Sequence, residues 1–201
     1  MTLTTFSIDR RVLLIGLAAA ATVGGPAAAM TQDQARDLVV RVMADLSAII
    51  DSGRSEAALF SEFEALFERY GDVPVIAQSV LGPAARSASR AQLAAFTDAF
   101  RGYMARKYGR QFRRLRGARA EVTGARQVQR YWEVLSTMNL RGEPPFEVRW
   151  HVSDRSGQHR FFNLIIEGVN LLAAERQEIG TQLERRGGSI SRLTAELGSV
   201  G

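Results

Sequence analysis

Cysteine is absent from the 201 residues. Disulfides, thiolate metal sites and thiol nucleophiles are therefore excluded, and the fold must be held by packing. Histidine is nearly absent: His151 and His159 are the only two. Both are expected in strands, and neither belongs to the closely spaced ligand sets that zinc or iron requires. No G-x-S-x-G elbow is present, and the aspartates and glutamates are scattered mainly on polar helix faces. Arg186-Gly187-Gly188-Ser189 is glycine-rich, but it lacks both a preceding strand and the lysine of a phosphate loop, so it reads as a helix-helix turn. These absences argue for a protein with no catalytic residues, no metal and no cofactor. The enzyme alternative would need two buried carboxylates to meet in space.

Long hydrophobic runs are also missing, with one exception. Asp9-Arg10-Arg11 precedes an apolar stretch from Val12 to Val23, and Pro26-Ala27-Ala28-Ala29 follows with small residues suited to cleavage. The stretch is shorter than the roughly 20 residues that a membrane-crossing helix needs. It reads as a signal peptide over residues 1–29, cut near Ala29, which places the mature chain in the periplasm. The arginine pair followed by Val12-Leu13-Leu14 resembles a twin-arginine export signal, although a general secretory signal also tolerates two arginines. The chain is 46% hydrophobic and 23% charged, which suits a globular domain with a real core. Its net charge of +5 points to an anionic partner without choosing among nucleic acid, lipid head group and membrane surface.

Apolar periodicity then organises residues 30–201. Leu38, Val39, Val42, Met43, Leu46, Ile49 and Ile50 recur at steps of three and four and predict a helix over 32–50. A second helix is expected over 55–70, burying Leu59, Phe63, Leu66 and Phe67 and capped by Gly71. A third is expected over 74–81, with the Asp72 carboxylate suited to its exposed amides. The longest should run over 89–115, with Phe96, Phe100, Met104, Tyr108, Phe112 and Leu115 on one face and Arg106, Arg110 and Arg113 on an opposite, solvated face. The period then changes to two. Phe146, Val148, Trp150 and Val152 alternate with polar residues, and segments 120–126, 131–138 and 159–166 read as three further strands, with Ser156-Gly157 as a tight turn. Glu167-Gly168 breaks the last strand, and helices follow near 171–185 and 189–197. The expected class is α+β, an antiparallel four-stranded meander packed against several helices in a single domain. The basic cluster at Arg110, Arg113, Arg114, Arg116 and Arg119 contains Phe112, but that residue belongs to the core stripe, and export removes the protein from most nucleic acid. No nucleic-acid partner is expected.

Three segments carry a family resemblance. The first is Tyr70-Gly71-Asp72-Val73-Pro74, continuing to Leu81-Gly82. The second is Gln92-Leu93-Ala94-Ala95-Phe96 with Phe100 and Tyr108. The third is Phe161-Phe162-Asn163-Leu164-Ile165-Ile166-Glu167-Gly168-Val169-Asn170-Leu171, followed by Arg176. In order and spacing they resemble the MlaC, or toluene-tolerance, family of periplasmic components of lipid ABC transport systems. The chain departs from the family at His159, commonly tryptophan, at Asn163, commonly aspartate, and at Asn170, often serine.

The resemblance implies a carrier that shuttles phospholipid between an outer-membrane lipoprotein complex and an inner-membrane transporter complex with an MCE-domain subunit. A hopanoid or another lipid is the alternative cargo, and a lipid-free periplasmic adaptor is the alternative role. Acyl chains are expected to enter an apolar pocket between sheet and helices. Its candidate walls are Phe100, Met104, Trp132, Val134, Phe146, Val148, Trp150, Phe162, Leu164 and Ile166. An ordinary closed core would use the same residue types.

Overall fold

The computed structural model describes residues 29–199. The expected export segment lies outside them up to residue 28, and the side chains of Phe112 and Arg113 in the expected stripe and basic face also lie outside what is described. Helix α1 (Gln32–Asp51) opens with a reciprocal cap: the Thr31 hydroxyl accepts from the Gln34 amide, and the Gln34 side chain accepts from the Thr31 amide. Helix α2 (Glu56–Tyr70) is capped by Ser55 and ends at Gly71. Gly71 closes the helix with a bond to the Phe67 carbonyl, but its φ of −88° is not the left-handed conformation usual for a terminal glycine. Glycine is required for space instead, because a Cβ would stand 2.7 Å from the Phe67 carbonyl oxygen.

Helix α3 (Val73–Leu81) has Pro74 in its first turn. The buried Asp72 makes no side-chain cap there, contrary to the expectation for its carboxylate. A single helical turn, α4 (Ala84–Ser87), precedes the long α5 (Arg90–Phe112), which passes into a 3-10 turn at Arg113–Leu115. Arg106 does not lie on a purely solvated face: its guanidinium donates to the Leu197 carbonyl at 2.6 Å and so helps close the last turn of α7 (Ile190–Ser199).

The sheet has five strands, not four. β1 (Arg119–Val128), β2 (Tyr131–Asn139), β3 (Phe146–Ser153), β4 (Arg160–Ile166) and β5 (Val169–Asn170) form an antiparallel meander in chain order. The fifth was missed because it is two residues long and carries no alternation. Glu167 and Gly168 do break β4, and with φ of 49° and 82° they also return the chain as a tight hairpin. His159 falls just before β4 and not within it. Helix α6 (Leu171–Arg185) starts directly after β5. Asn170 accepts from the Ala173 amide and Asn163 from the Leu172 amide, so the two asparagines jointly cap it.

Three packed clusters result. α1 lies on the sheet over Val134, Met138, Val148, Trp150, Val152 and Phe161. Helices α3, α5, α6 and α7 enclose Ile76, Phe96, Phe100, Ile179 and Leu193. A smaller group joins Ile50, Leu59, Phe63 and Ala105. Helices α2 and α5 approach so closely that a Cβ on Gly109 would stand 2.7 Å from the Phe60 ring.

Candidate functional site

The three clusters meet around unfilled space. An inner chamber of about 160 Å³ takes walls from each of them: Phe161 from the sheet cluster, Ile76 from the helical cluster, and Phe63 and Ala105 from the small group. Its lining residues are all buried or half-buried. A wider outer chamber of about 620 Å³ lies between α1, the end of α5 and the sheet, lined by Leu46, Met138, Phe146, Val148 and Trp150 among others. Leu66, Tyr108, Leu164, Ile166 and Leu171 line both chambers. Exposed Gln111, Arg114, Glu143 and Glu167 stand on the outer chamber only, so the wide end carries the polar rim, whereas the walls of the narrow end are buried or half-buried. Together the two chambers fall within the roughly 300–1,000 Å³ usual for small-molecule sites.

Seven of the ten candidate wall residues stand on these chambers. Met104 and Phe162 line the inner one, Phe146, Val148 and Trp150 the outer one, and Leu164 and Ile166 both. Three do not. Phe100 is fully buried and stacked on Phe96 with ring centroids 5.7 Å apart. Val134 is fully buried in the cluster under α1. Trp132 donates its indole N–H to the Met30 carbonyl at 2.8 Å and packs against the same cluster. Phe162 also leaves the row expected of it. An irregularity in the β3–β4 register at His151/Val152 lets Phe161 take the position against Trp150, and Phe162 turns toward Tyr131 and His151.

The inner end is not wholly apolar. Glu175 on α6 is 2% exposed and lines the inner chamber. Its Oε1 accepts from Lys107 Nζ at 2.6 Å and from the Tyr108 hydroxyl at 2.5 Å, whereas its Oε2 has no hydrogen-bond partner. Lys107 also bonds Glu178 at 2.5 Å, and the Tyr103 hydroxyl donates to Glu178 at 2.8 Å. Burial by itself would lower the Lys107 pKa, but the bonds to Glu175 and Glu178 outweigh it and raise it above the ordinary lysine range. Burial raises Tyr108, reinforced by its bond to Glu175, and pushes Tyr103 up to about 12. The bond from Lys107 holds Glu178 below the usual carboxylate range.

A second polar network stands on the sheet face opposite Trp150 and Leu164, and its Asn163 also lines the inner chamber. Arg126 donates to Glu133 at 2.7 Å, the His151 ring lies 3.2 Å from the second Glu133 oxygen, and the Asn163 amide nitrogen lies 3.3 Å from the other ring nitrogen. Burial depresses the His151 pKa against the opposing pull of Glu133. Burial acts to raise Glu133, but the bonds from Arg126 and His151 win and lower it. This network ties the sheet to the start of α6 through Asn163. Among the described residues, no group of three or more histidine, aspartate or glutamate side chains could hold a metal ion.

Sequence reasoning missed Glu175 and Lys107. The signal was present: Leu172, Glu175, Ile179 and Leu183 step three, four and four along α6, which places a carboxylate inside an apolar stripe. It also missed Phe63, Phe67 and Phe161 as walls, which the sequence places in core elements without indicating where those elements fail to close.

Comparison with known proteins gives two findings. The family model described as MlaC protein matches residues 19–199. A solved structure of a phospholipid-binding protein from Ralstonia solanacearum, in complex with a phospholipid, superposes with a TM-score of 0.70 at 20% sequence identity, covering 81% of this chain and 98% of that one. It is the same α+β fold, an antiparallel sheet packed against helices.

Proposed function

The chain belongs to the MlaC family, and on that premise we propose that it is a periplasmic carrier that shuttles phospholipid between outer-membrane and inner-membrane components of an ABC transport system. The observation that carries this reading is the two-chamber cavity, with a largely apolar inner end and a polar rim at the wide end. The phospholipid bound to the similarly folded Ralstonia solanacearum protein supports it. Acyl chains enter past Leu164, Ile166 and Leu171 toward Met104 and Phe162, and the head group stays hydrated near Arg114, Glu143 and Glu167. Each buried methylene contributes about 0.8 kcal/mol, so a diacyl lipid with about thirty methylenes faces roughly 24 kcal/mol on entering water unaccompanied. A carrier removes that barrier without covalent chemistry, and handover follows the relative affinities of the membrane complexes on either side.

The same reading makes residues 1–29 a cleaved signal peptide and residues 30–201 the carrier domain. The setting of Met30 supports it. Met30 is buried, and its backbone nitrogen donates to Asp154 Oδ2 at 2.7 Å. Cleavage after Ala29 would turn that amide into an ammonium and the hydrogen bond into an ion pair.

The test is native mass spectrometry of mature protein taken from the periplasm, with extraction and identification of its lipid. Stoichiometric phospholipid is the expected result, and a hopanoid would keep the carrier role while changing the cargo. Protein that remains empty after incubation with phospholipid vesicles overturns the reading in favour of an adaptor.

A further inference from the structure

Among the described residues, Oε2 of Glu175 is a buried side-chain oxygen with no hydrogen-bond partner, which a purely aliphatic cargo leaves unexplained. A buried polar atom without a partner is costly, and most such atoms in native structures are satisfied. Here the atom belongs to a side chain that is 2% exposed and lines the inner chamber. Its sister oxygen is already engaged by Lys107 and Tyr108, which fix the carboxylate in place. What the remaining oxygen can take is a hydrogen-bond donor. Two other inner walls carry donors, but both are engaged elsewhere: the Tyr108 hydroxyl on Oε1 and the Asn163 amide nitrogen beside His151; Phe67, Met104, Phe162, Leu164 and Leu172 have none in their side chains. The donor must therefore come from whatever fills the chamber.

The donor's charge is also constrained. Lys107 already stands against Glu175, and the other carboxylate it bonds, Glu178, is half-exposed to water, so a second cation in the apolar chamber would bear a desolvation cost that the buried carboxylate offsets only in part. A neutral hydroxyl avoids that cost. Its place on the lipid follows from the geometry: the polar rim is at the outer chamber and Glu175 at the inner one, so the hydroxyl lies in the apolar body of the lipid, remote from the head group.

We propose that Glu175 makes the inner chamber selective for lipids that carry a hydroxyl within their buried apolar portion. This rests on the carrier reading and specifies its cargo class. A hydrogen bond to a charged acceptor corresponds to a preference on the order of 10- to 100-fold over the same lipid without the hydroxyl.

The experiment uses the delipidated mature protein and stearic acid against a positional series of hydroxystearic acids, each competing with a fluorescent fatty acid. The expected result is a preference of at least 10-fold for one position of the hydroxyl, with little gain at the others. Glu175→Gln should cut the ratio of hydroxylated to plain affinity to below about 3-fold. Glu175→Asp, which keeps a carboxylate for Lys107 but withdraws it from the chamber, should cut it too, and it serves if the glutamine variant fails to fold. Stearic acid binding with no preference at any position overturns this inference and leaves the carrier reading standing, with a trapped water as the partner of Oε2. A preference that survives in both variants also overturns it. Failure of every fatty acid and of phospholipid vesicles to load the protein overturns both readings.

Discussion

Replacing Lys107 with methionine isolates the cost of the buried carboxylate behind it. Methionine keeps most of the aliphatic stem but removes the ammonium that stands 2.6 Å from Glu175. Glu175 is then left 2% exposed with only the Tyr108 hydroxyl as a donor. Breaking a buried pair by removing one partner costs about 3–5 kcal/mol. The Lys107 side chain is 26% exposed, so water reaches the vacated position in part and the lower end, about 3 kcal/mol, applies. At about 2–4 °C per kcal/mol for a chain of this size, thermal unfolding should fall by roughly 6–12 °C. Glu175→Leu should be milder, because Lys107 keeps its bond to the half-exposed Glu178. Combined with Lys107→Met it should recover most of the loss, since a well-packed apolar pair commonly matches a buried ionic one. Circular dichroism melts of the two single variants and the double variant, all delipidated, form the cycle. A Lys107→Met protein that melts within 2 °C of the parent refutes the reasoning, as does a double variant less stable than either single one.

Phe100→Ala should cost about 3–5 kcal/mol and Leu164→Ala about 2 kcal/mol or less, because Phe100 packs on all sides whereas Leu164 already faces a void; urea unfolding of the lipid-free forms measures both. Gly71→Ala should destabilise by about 1–3 kcal/mol, since the added methyl meets the Phe67 carbonyl and ring below 3 Å; the same urea titration reads it. Stability should also fall as the pH is lowered below about 6.5, the ordinary histidine value. Burial holds His151 neutral in the folded protein, so the unfolded chain takes up the proton first and each step down in pH favours unfolding until the depressed folded pKa is passed. Melts of the parent and of His151→Gln between pH 7.5 and 5 should show a steeper decline in the parent, and parallel curves would assign that decline to other groups.

Most elements were legible in the sequence because each has one strong period. The α1 stripe and the Phe146–Val152 alternation each repeat a single face several times, and α6 ends where its pattern ends. What escaped lacks repetition. β5 has two residues, and the irregularity that swaps Phe161 for Phe162 is one residue long. The cavity was the hardest part to read for a different reason. Phe100 and Met104 are one turn apart on the same face of α5, yet Phe100 is sealed within the cluster that α3, α5, α6 and α7 share, whereas Met104 lies at its edge and lines the inner chamber. Periodicity reports which face of a helix turns inward. It does not report whether another element fills the space opposite.

That distinction explains how the chain keeps an unfilled centre without losing its fold. Each of the three clusters closes around buried residues that line neither chamber, such as Val134 and Val152 beneath α1, Phe96 and Ile179 among the helices, and Leu59 on α2. Their packing does not depend on the junction they share. The chamber walls forfeit dispersion contacts on one side only, and an apolar occupant restores those contacts to the folded state alone. Occupancy therefore acts as a stabilising ligand whose effect grows with concentration over dissociation constant, reaching about 2.7 kcal/mol at a hundredfold excess. On the proposed carrier reading, such a protein is expected to be more stable loaded than empty, by an amount that grows with lipid concentration.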